Sequence, residues 1–357
     1  MHESVLITGG AGFVGSTLAI AIRRALPGTE VIAFDNLRRR GSEMNLPRLK
    51  AEGVRFVHGD VRSLADLAAI RPAPDLILEC SAEPSVLAGY GGSPEYLIHT
   101  NLTGCFHCLE IARQAKADFL FVSTSRVYPV APVNGLAFEE TETRFRLRPA
   151  QTVPGASEYG ISEEFPLAGA RSLYGMTKLA AELMVAEYGD AYGIRFAIDR
   201  CGLLTGPWQM AKADQGVVAY WVAAHCLNRR LKYIGFGGTG KQVRDFLHID
   251  DFCDLVLDQI ANLDAYAGRH WNVGGGIANS LSLREATDLC REVTGHTVEV
   301  VGTDENRPAD LRWYITDHRA VSAVRGWTPR RDARRTIGDI AEWIDGHKAE
   351  LCEVVFG

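Results

Sequence analysis

Tyr174 and Lys178 stand four residues apart in Ser172-Leu173-Tyr174-Gly175-Met176-Thr177-Lys178. On a helix that spacing stacks the two side chains on one face. An ammonium beside a phenol favours the phenolate, which otherwise forms only near pH ~10. The pair therefore makes a proton acceptor that works near neutral pH. The same spacing also suits a plain helix with a buried ring and a solvated lysine, so the chemistry depends on what lies upstream.

Upstream, Ser4–Thr8 is a short apolar run that ends in Gly9-Gly10-Ala11-Gly12-Phe13-Val14-Gly15. A helical pattern follows through Leu18, Ile20, Ile22 and Leu26, and a second strand-like run, Glu30–Phe34, ends at Asp35. Strand, glycine turn, helix, strand and acid is the order of a dinucleotide-binding βαβ unit. The glycines let the backbone approach a pyrophosphate at a helix N-terminus, where unpaired N–H groups favour anions. This marks Gly9, Gly12, Phe13 and Val14 as cofactor contacts, with Asp35 and Asn36 at the adenosine ribose. A carboxylate twenty residues beyond Gly15 accepts ribose hydroxyls and repels a 2′-phosphate, which favours NAD over NADP; Arg38, Arg39 and Arg40 temper that preference.

The alternation continues with strands expected at Arg55–His58, Asp75–Glu79, Asp118–Ser123 and Ile194–Asp199, and helices at Tyr96–Gln114 and around Tyr174. The fold class is α/β, a doubly wound parallel (Rossmann) sheet with a smaller mixed α/β C-terminal substrate lobe. Residues 1–205 are expected to form the NAD-binding domain, with a long aperiodic loop at 129–171, and 206–357 a substrate lobe interleaved with it. Turns are expected at Gly235–Gly240 and Gly274–Gly276, and helices at Leu281–Val293 and Ala333–His347.

The chain has 357 residues, 46% hydrophobic and 23% charged, with a formal net charge of −6, as in ordinary soluble domains. That balance argues against nucleic acid or an anionic membrane as partner. Eight scattered cysteines fit buried thiols in a reducing cytosol, and Cys105 and Cys108 read as core packing within a helix. No metal-ligand spacing, apolar membrane span or leader segment is evident, so a cytoplasmic protein is expected.

Thr8-Gly9-x-x-Gly12-x-x-Gly15, Asp60-Val61, Ser123-Thr124 and Tyr174-x-x-x-Lys178 together resemble the extended short-chain dehydrogenase/reductase family of nucleotide-sugar epimerases, dehydratases and decarboxylases. The resemblance spans essentially the whole chain. It implies bound NAD⁺, with Tyr174 taking a proton from a sugar hydroxyl while hydride passes to the nicotinamide. Lys178 would lower the tyrosine pKa and bind the nicotinamide ribose, and Thr124 would orient the sugar hydroxyl. It also implies cofactor contacts from Asp60, Val61, Ser81, Ala82 and Ser123. Arg244, in Gly240-Lys241-Gln242-Val243-Arg244-Asp245, and Arg307, in Arg307-Pro308-Ala309-Asp310, would bind the nucleotide diphosphate, with Asp310 orienting Arg307 or accepting a ribose hydroxyl.

After the catalytic threonine, the family's dehydratases carry Asp-Glu and its decarboxylases Ser-Glu. This chain has Thr124-Ser125-Arg126 and neither carboxyl. Epimerisation needs only hydride removal and return, and Arg126 would then face substrate. Closest in pattern is the CDP-tyvelose (CDP-paratose) 2-epimerase type. The match is carried by Trp208-Gln209 with Asp214-Gln215-Gly216, Leu247-His248, Asn272-Val273-Gly274-Gly275 and Asn279-Ser280-Leu281-Ser282-Leu283. It adds Gln209, Asp214 and Gln215 as substrate contacts and implies a 2-epimerase acting on a CDP-linked deoxyhexose. A 4-epimerase, a keto-sugar-forming oxidoreductase or dehydratase, and a non-catalytic NAD-sensing protein are the alternatives.

Three stretches depart from the family pattern: Glu79-Cys80-Ser81-Ala82 replaces His-x-Ala-Ala, Pro129 replaces a glycine, and Arg200–Pro207 lacks the usual Asn and Tyr. Family members commonly dimerise through the helices at 97–114 and 172–188, so a homodimer is expected.

Overall fold

The computed structural model describes residues 2–212 and 215–351. The chain divides into two compact units. The first comprises residues 1–124, 173–200 and 252–271; the second comprises 125–172, 201–251 and 272–357. The 129–171 segment, attached to the nucleotide-binding part in the sequence reading, is thus grouped with the second unit.

The first unit is built on a seven-stranded sheet. Its early elements are β1 (Ser4–Thr8), α1 (Phe13–Ala25), β2 (Glu30–Asp35), α2 (Asn45–Ala51), β3 (Arg55–His58), α3 (Leu64–Ala68), β4 (Leu76–Glu79), α4 (Glu95–Ile98), α5 (Gly104–Ala115) and β5 (Asp118–Thr124). In space the order is Arg269–Val273, Phe196–Cys201, β5, β4, β1, β2, β3. Pairings of β1 with β2 and β4, β2 with β3, and β4 with β5 are parallel. Strand order therefore reverses between β1 and β4, which makes the carboxyl ends of those strands a topological switch point, where such folds bind ligands.

β1 is buried on both faces and reads as a continuous apolar run, as central parallel strands do. Leu6, Ile32, Ile77, Phe119 and Phe121 pack with Cys105, Cys108 and Leu109 into one core. Both cysteines of the C-x-x-C are buried free thiols there. Between α4 and α5 the backbone passes through a π-helical stretch, His99–Thr103, so the expected helix near 96–114 exists but carries a local bulge. Such bulges recur at functional sites. The tyrosine helix runs over Leu173–Tyr192.

In the second unit Val243–His248 is flanked by Leu203–Thr205, Ser280–Ser282 and Trp313–Tyr314. Helices Val217–Cys226, Leu283–Thr294 and Ala333–Gly346 pack on one another. Ser282 and Glu285 close a reciprocal cap at the start of Leu283–Thr294. The 129–171 segment is less irregular than its composition indicates. It holds a short helix, Val130–Asn134, and two small hairpins, Phe138–Glu140 with Phe145–Leu147 and Ala156–Ser157 with Gly160–Ile161. Arg144 ties it down by donating to the Glu285 carboxylate and the Ser280 carbonyl. Strands of two or three residues have too little length to show a side-chain period.

Candidate active site

The glycine turn follows β1 at the switch point. Gly9 has φ +63°, and a Cβ there would lie 2.9 Å from the Cys80 carbonyl oxygen. A Cβ on Gly15 would fall 2.2 Å from the Gly9 oxygen, so the turn closes onto α1 only with glycine at both places. Gly12 precedes α1 as its N-cap, and the first turn, starting at Phe13 and Val14, holds no acidic side chain and no side-chain cap. Those amides remain available to an anion, as a dinucleotide pyrophosphate requires.

Asp35 ends β2, and its carboxylate accepts from Ala11 N–H at 3.1 Å and Leu37 N–H at 2.7 Å. Burial pushes its pKa up, against those bonds. The carboxylate is thus fixed in place and keeps lone pairs for ribose hydroxyls. Asn36 donates to Asp60 at 2.9 Å, and Arg62 also pairs with Asp60, whose pKa is held well below the usual carboxylate range, chiefly by the Arg62 hydrogen bonds. Around them lies a cavity of about 410 Å³ lined by Asn36, Arg38, His58, Gly59, Asp60, Arg62 and Asp66. Arg38 stacks on Tyr96, 3.9 Å from its ring centroid. Val61 is buried in the core, and its carbonyl lies 2.8 Å from His107 Nδ1. These residues fit NAD, with the glycine turn at the pyrophosphate and Asp35 at the ribose.

Thr124 ends β5 and is buried; Tyr174 and Lys178 lie on the buried face of the tyrosine helix. All three belong to the first unit. Lys178 Nζ is 3.6 Å from Glu79 Oε2 and 4.0 Å from the centroid of the Phe121 ring. Ser81 donates its hydroxyl to Glu79, and Ala82 follows in the same post-β4 loop. Ser123 donates its hydroxyl to Glu182, which also holds Arg200 in a buried ion pair at 2.7 Å. Asn101, inside the π-helical stretch, donates to Thr177 Oγ1 at 3.1 Å and to the Glu83 carbonyl at 3.2 Å. Thr177 in turn donates to the Tyr174 carbonyl at 2.8 Å.

The sequence reading misses Asn101 and Glu182 as parts of this site and meets Glu79 only as a departure from the family pattern. Glu182 was within reach, since Tyr174, Lys178 and Glu182 repeat every four residues along one helix face. Asn101 and Glu79 meet the helix only through tertiary packing.

The expected diphosphate contacts lie in the second unit. Arg244 donates to Asp310 at 3.0 Å and to the carbonyls of Leu311 and Val243. Burial brings its pKa down to about 10, and the positive charge of Arg126 adds to that. Arg126 donates to the Ala309 carbonyl at 3.1 Å, and Asp310 N–H to the Arg307 carbonyl. Arg126, Arg244, Arg307 and Asp310 therefore share one locality, with more cationic than anionic groups, a donor set suited to a diphosphate. Gln209 accepts from Thr205 and donates to the Leu204 carbonyl. Gln215 pairs with Lys212 through the main chain, and Asp214 lies outside the described residues.

Known proteins resemble the chain along its whole length. It is 30% identical over 347 residues to CDP-paratose 2-epimerase of Salmonella typhi, covering 95% of this chain and 98% of that one. Among solved structures, UDP-glucose 4-epimerase of Thermus thermophilus in complex with NAD matches with a TM-score of 0.75 and 25% identity, over 96% and 99% of the two chains. UDP-glucuronic acid 4-epimerase of Bacillus cereus, bound to UDP-glucuronic acid and NAD, matches with a TM-score of 0.78 at 20% identity, again over 96% and 99%. The family model that spans residues 5–274 covers the glycine turn, Thr124 and the Tyr174/Lys178 helix alike, and the chain belongs to the NAD dependent epimerase/dehydratase family.

Proposed function

We propose that the protein is an NAD-dependent nucleotide-sugar epimerase that inverts carbon 2 of a CDP-linked deoxyhexose. One observation carries the acid–base part: Tyr174 and Lys178 share the buried face of one helix, in the same unit as Thr124 and the glycine turn. Bound NAD⁺ supplies a hydride acceptor that returns what it takes. Tyr174 accepts the proton of the sugar hydroxyl, Lys178 stabilises the phenolate, and Thr124 orients that hydroxyl. Arg244, Arg307 and Arg126 hold the diphosphate and its neighbourhood, with Asp310 fixing Arg244. Gln209, Asp214 and Gln215 complete the sugar contacts, and Ser81, Ala82 and Ser123 those to the cofactor.

The likeness to a CDP-paratose 2-epimerase supports carbon 2 and the cytidine nucleotide. Relatives named dTDP-glucose 4,6-dehydratase, such as that of Streptomyces antibioticus at 27% identity over 97% of this chain and 93% of that one, favour dehydration as the second reading. Ser125-Arg126 after the threonine offers no carboxyl pair for water loss, which weighs against it.

Incubation with a panel of CDP-, dTDP- and UDP-sugars in deuterated water tests the proposal. The expected product is the 2-epimer of a CDP-deoxyhexose with no solvent deuterium on the inverted carbon. Deuterium there, or lasting formation of NADH, would replace hydride return with another reaction.

We further infer a homodimer through α5 and the tyrosine helix, where Phe106, Met176, Leu183 and Tyr192 are exposed. The seven described cysteines are free thiols, which supports a reducing cytoplasmic setting. Among the described residues no helix is long and apolar enough to cross a membrane.

A further inference from the structure

Glu79 ends β4 between two strands that bear on the chemistry. In parallel register it pairs with Thr8, where the glycine turn begins, and with Phe121, three residues before Thr124. Its side chain is 1% exposed and that of Lys178 is 2% exposed. A carboxylate so deeply buried is costly unless partners meet its charge. Oε1 accepts from Ser81 Oγ. Oε2 has no hydrogen-bond partner among the described residues and faces Lys178 Nζ at 3.6 Å. The ammonium is thus held between a carboxylate and the Phe121 ring, both on the sheet, one helical turn from Tyr174.

Burial drives the Glu79 pKa up, and Lys178 and the Ser81 hydroxyl oppose that rise. The other titratable groups facing the pair are thiols: Cys80 after β4, and Cys105 and Cys108 from α5. Burial pushes all three well above the ordinary thiol range, so they carry no charge. Beyond Cys80 stand Asp199 and Cys253. The field that a phenol feels from a lysine weakens when a carboxylate stands against the same ammonium.

We propose that Glu79 is a positioning residue for the proton acceptor: it holds the Lys178 ammonium against the sheet, offsets part of its charge and so sets how readily Tyr174 gives up its proton. This rests on Tyr174 being the acceptor, and Glu79 acts only through Lys178.

Two readouts keep the proposal separate from the enzymatic one. Near-ultraviolet titration of the phenolate, taken as the difference between a protein and its Tyr174→Phe counterpart, isolates this ring from the other ten tyrosines without any substrate. The pH profile of kcat reports the same ionisation during turnover. In Glu79→Gln the ammonium is unopposed, and the Tyr174 midpoint and the acid limb of kcat both move down by about one pH unit. Glu79→Asp keeps the charge, so both stay close to wild type.

If Glu79→Gln does not fold, Ser81→Ala takes its place, read by titration alone. Losing that hydrogen bond favours the neutral Glu79 and moves the midpoint in the same direction. An unmoved or raised midpoint in whichever variant folds overturns the proposal, as does an equal shift in Glu79→Asp. If no nucleotide sugar is turned over but the titration shift appears, the epimerase reading falls and the hold of Glu79 on Lys178 stands.

Discussion

Buried acids in the first unit are handled in different ways, and Asp199 is the sharpest case. It lies on the strand Phe196–Cys201, buried, accepting from Gln259 Nε2 at 2.8 Å. Burial pushes its pKa up to about 7, against the Gln259 bond. In the unfolded chain such a carboxyl ionises near pH ~4. Between these two values the folded state keeps a proton that the unfolded state has lost, so stability falls as pH rises through the window and levels off above it. Asp199→Asn removes that linkage. Its gain in unfolding free energy over wild type, from urea titrations, is expected to grow from about pH 4 to about pH 7 and then stay constant. A gain independent of pH would mean that Asp199 is ionised in the folded protein.

At the scale of elements, the tyrosine helix is the part that must not move. Asn101 reaches it through Thr177, while Glu182 ties it to β5 through Ser123 and to Phe196–Cys201 through Arg200. Removing one partner of a buried ion pair strands the other charge, so Glu182→Ala is expected to cost roughly 3–5 kcal/mol of unfolding free energy. Replacing both Glu182 and Arg200 with methionine leaves no stranded charge and should recover most of the loss. Chemical denaturation of Glu182→Met, Arg200→Met and the double variant checks this. Single losses that simply add in the double variant would show that the pair does not couple.

At the scale of the molecule, each unit has its own sheet and its own chemistry. The glycine turn, Thr124, Tyr174 and Lys178 sit in the first, and Arg126, Arg244 and Arg307 in the second. The first unit also presents α5 and the tyrosine helix with large apolar side chains outward, Leu183 at 63% exposure and Tyr192 at 56%. Large exposed apolar side chains on a helix face are a feature of association surfaces. Sedimentation is expected to give a dimer for the wild type and a monomer with unchanged secondary structure for Leu183→Glu. A wild type that sediments as a monomer would end that reading.

Local chemistry made much of this legible in the chain itself. The glycines around Gly12, the apolar run Ser4–Thr8 and the acid at Asp35 declare a βαβ unit because turn geometry and side-chain period are written within a few residues. The Tyr174/Lys178 spacing is likewise a property of one helix. Only the tertiary structure decided that Lys178 faces Glu79, that Asn101 reaches Thr177, and that Arg126, Arg244 and Asp310 share one locality. The hairpins of 129–171 were also hidden, because strands of two or three residues are defined by partners rather than by their own pattern. Sequence carries the periods that select elements; the register in which distant elements meet is settled by packing, and it is register that decides which charges face one another.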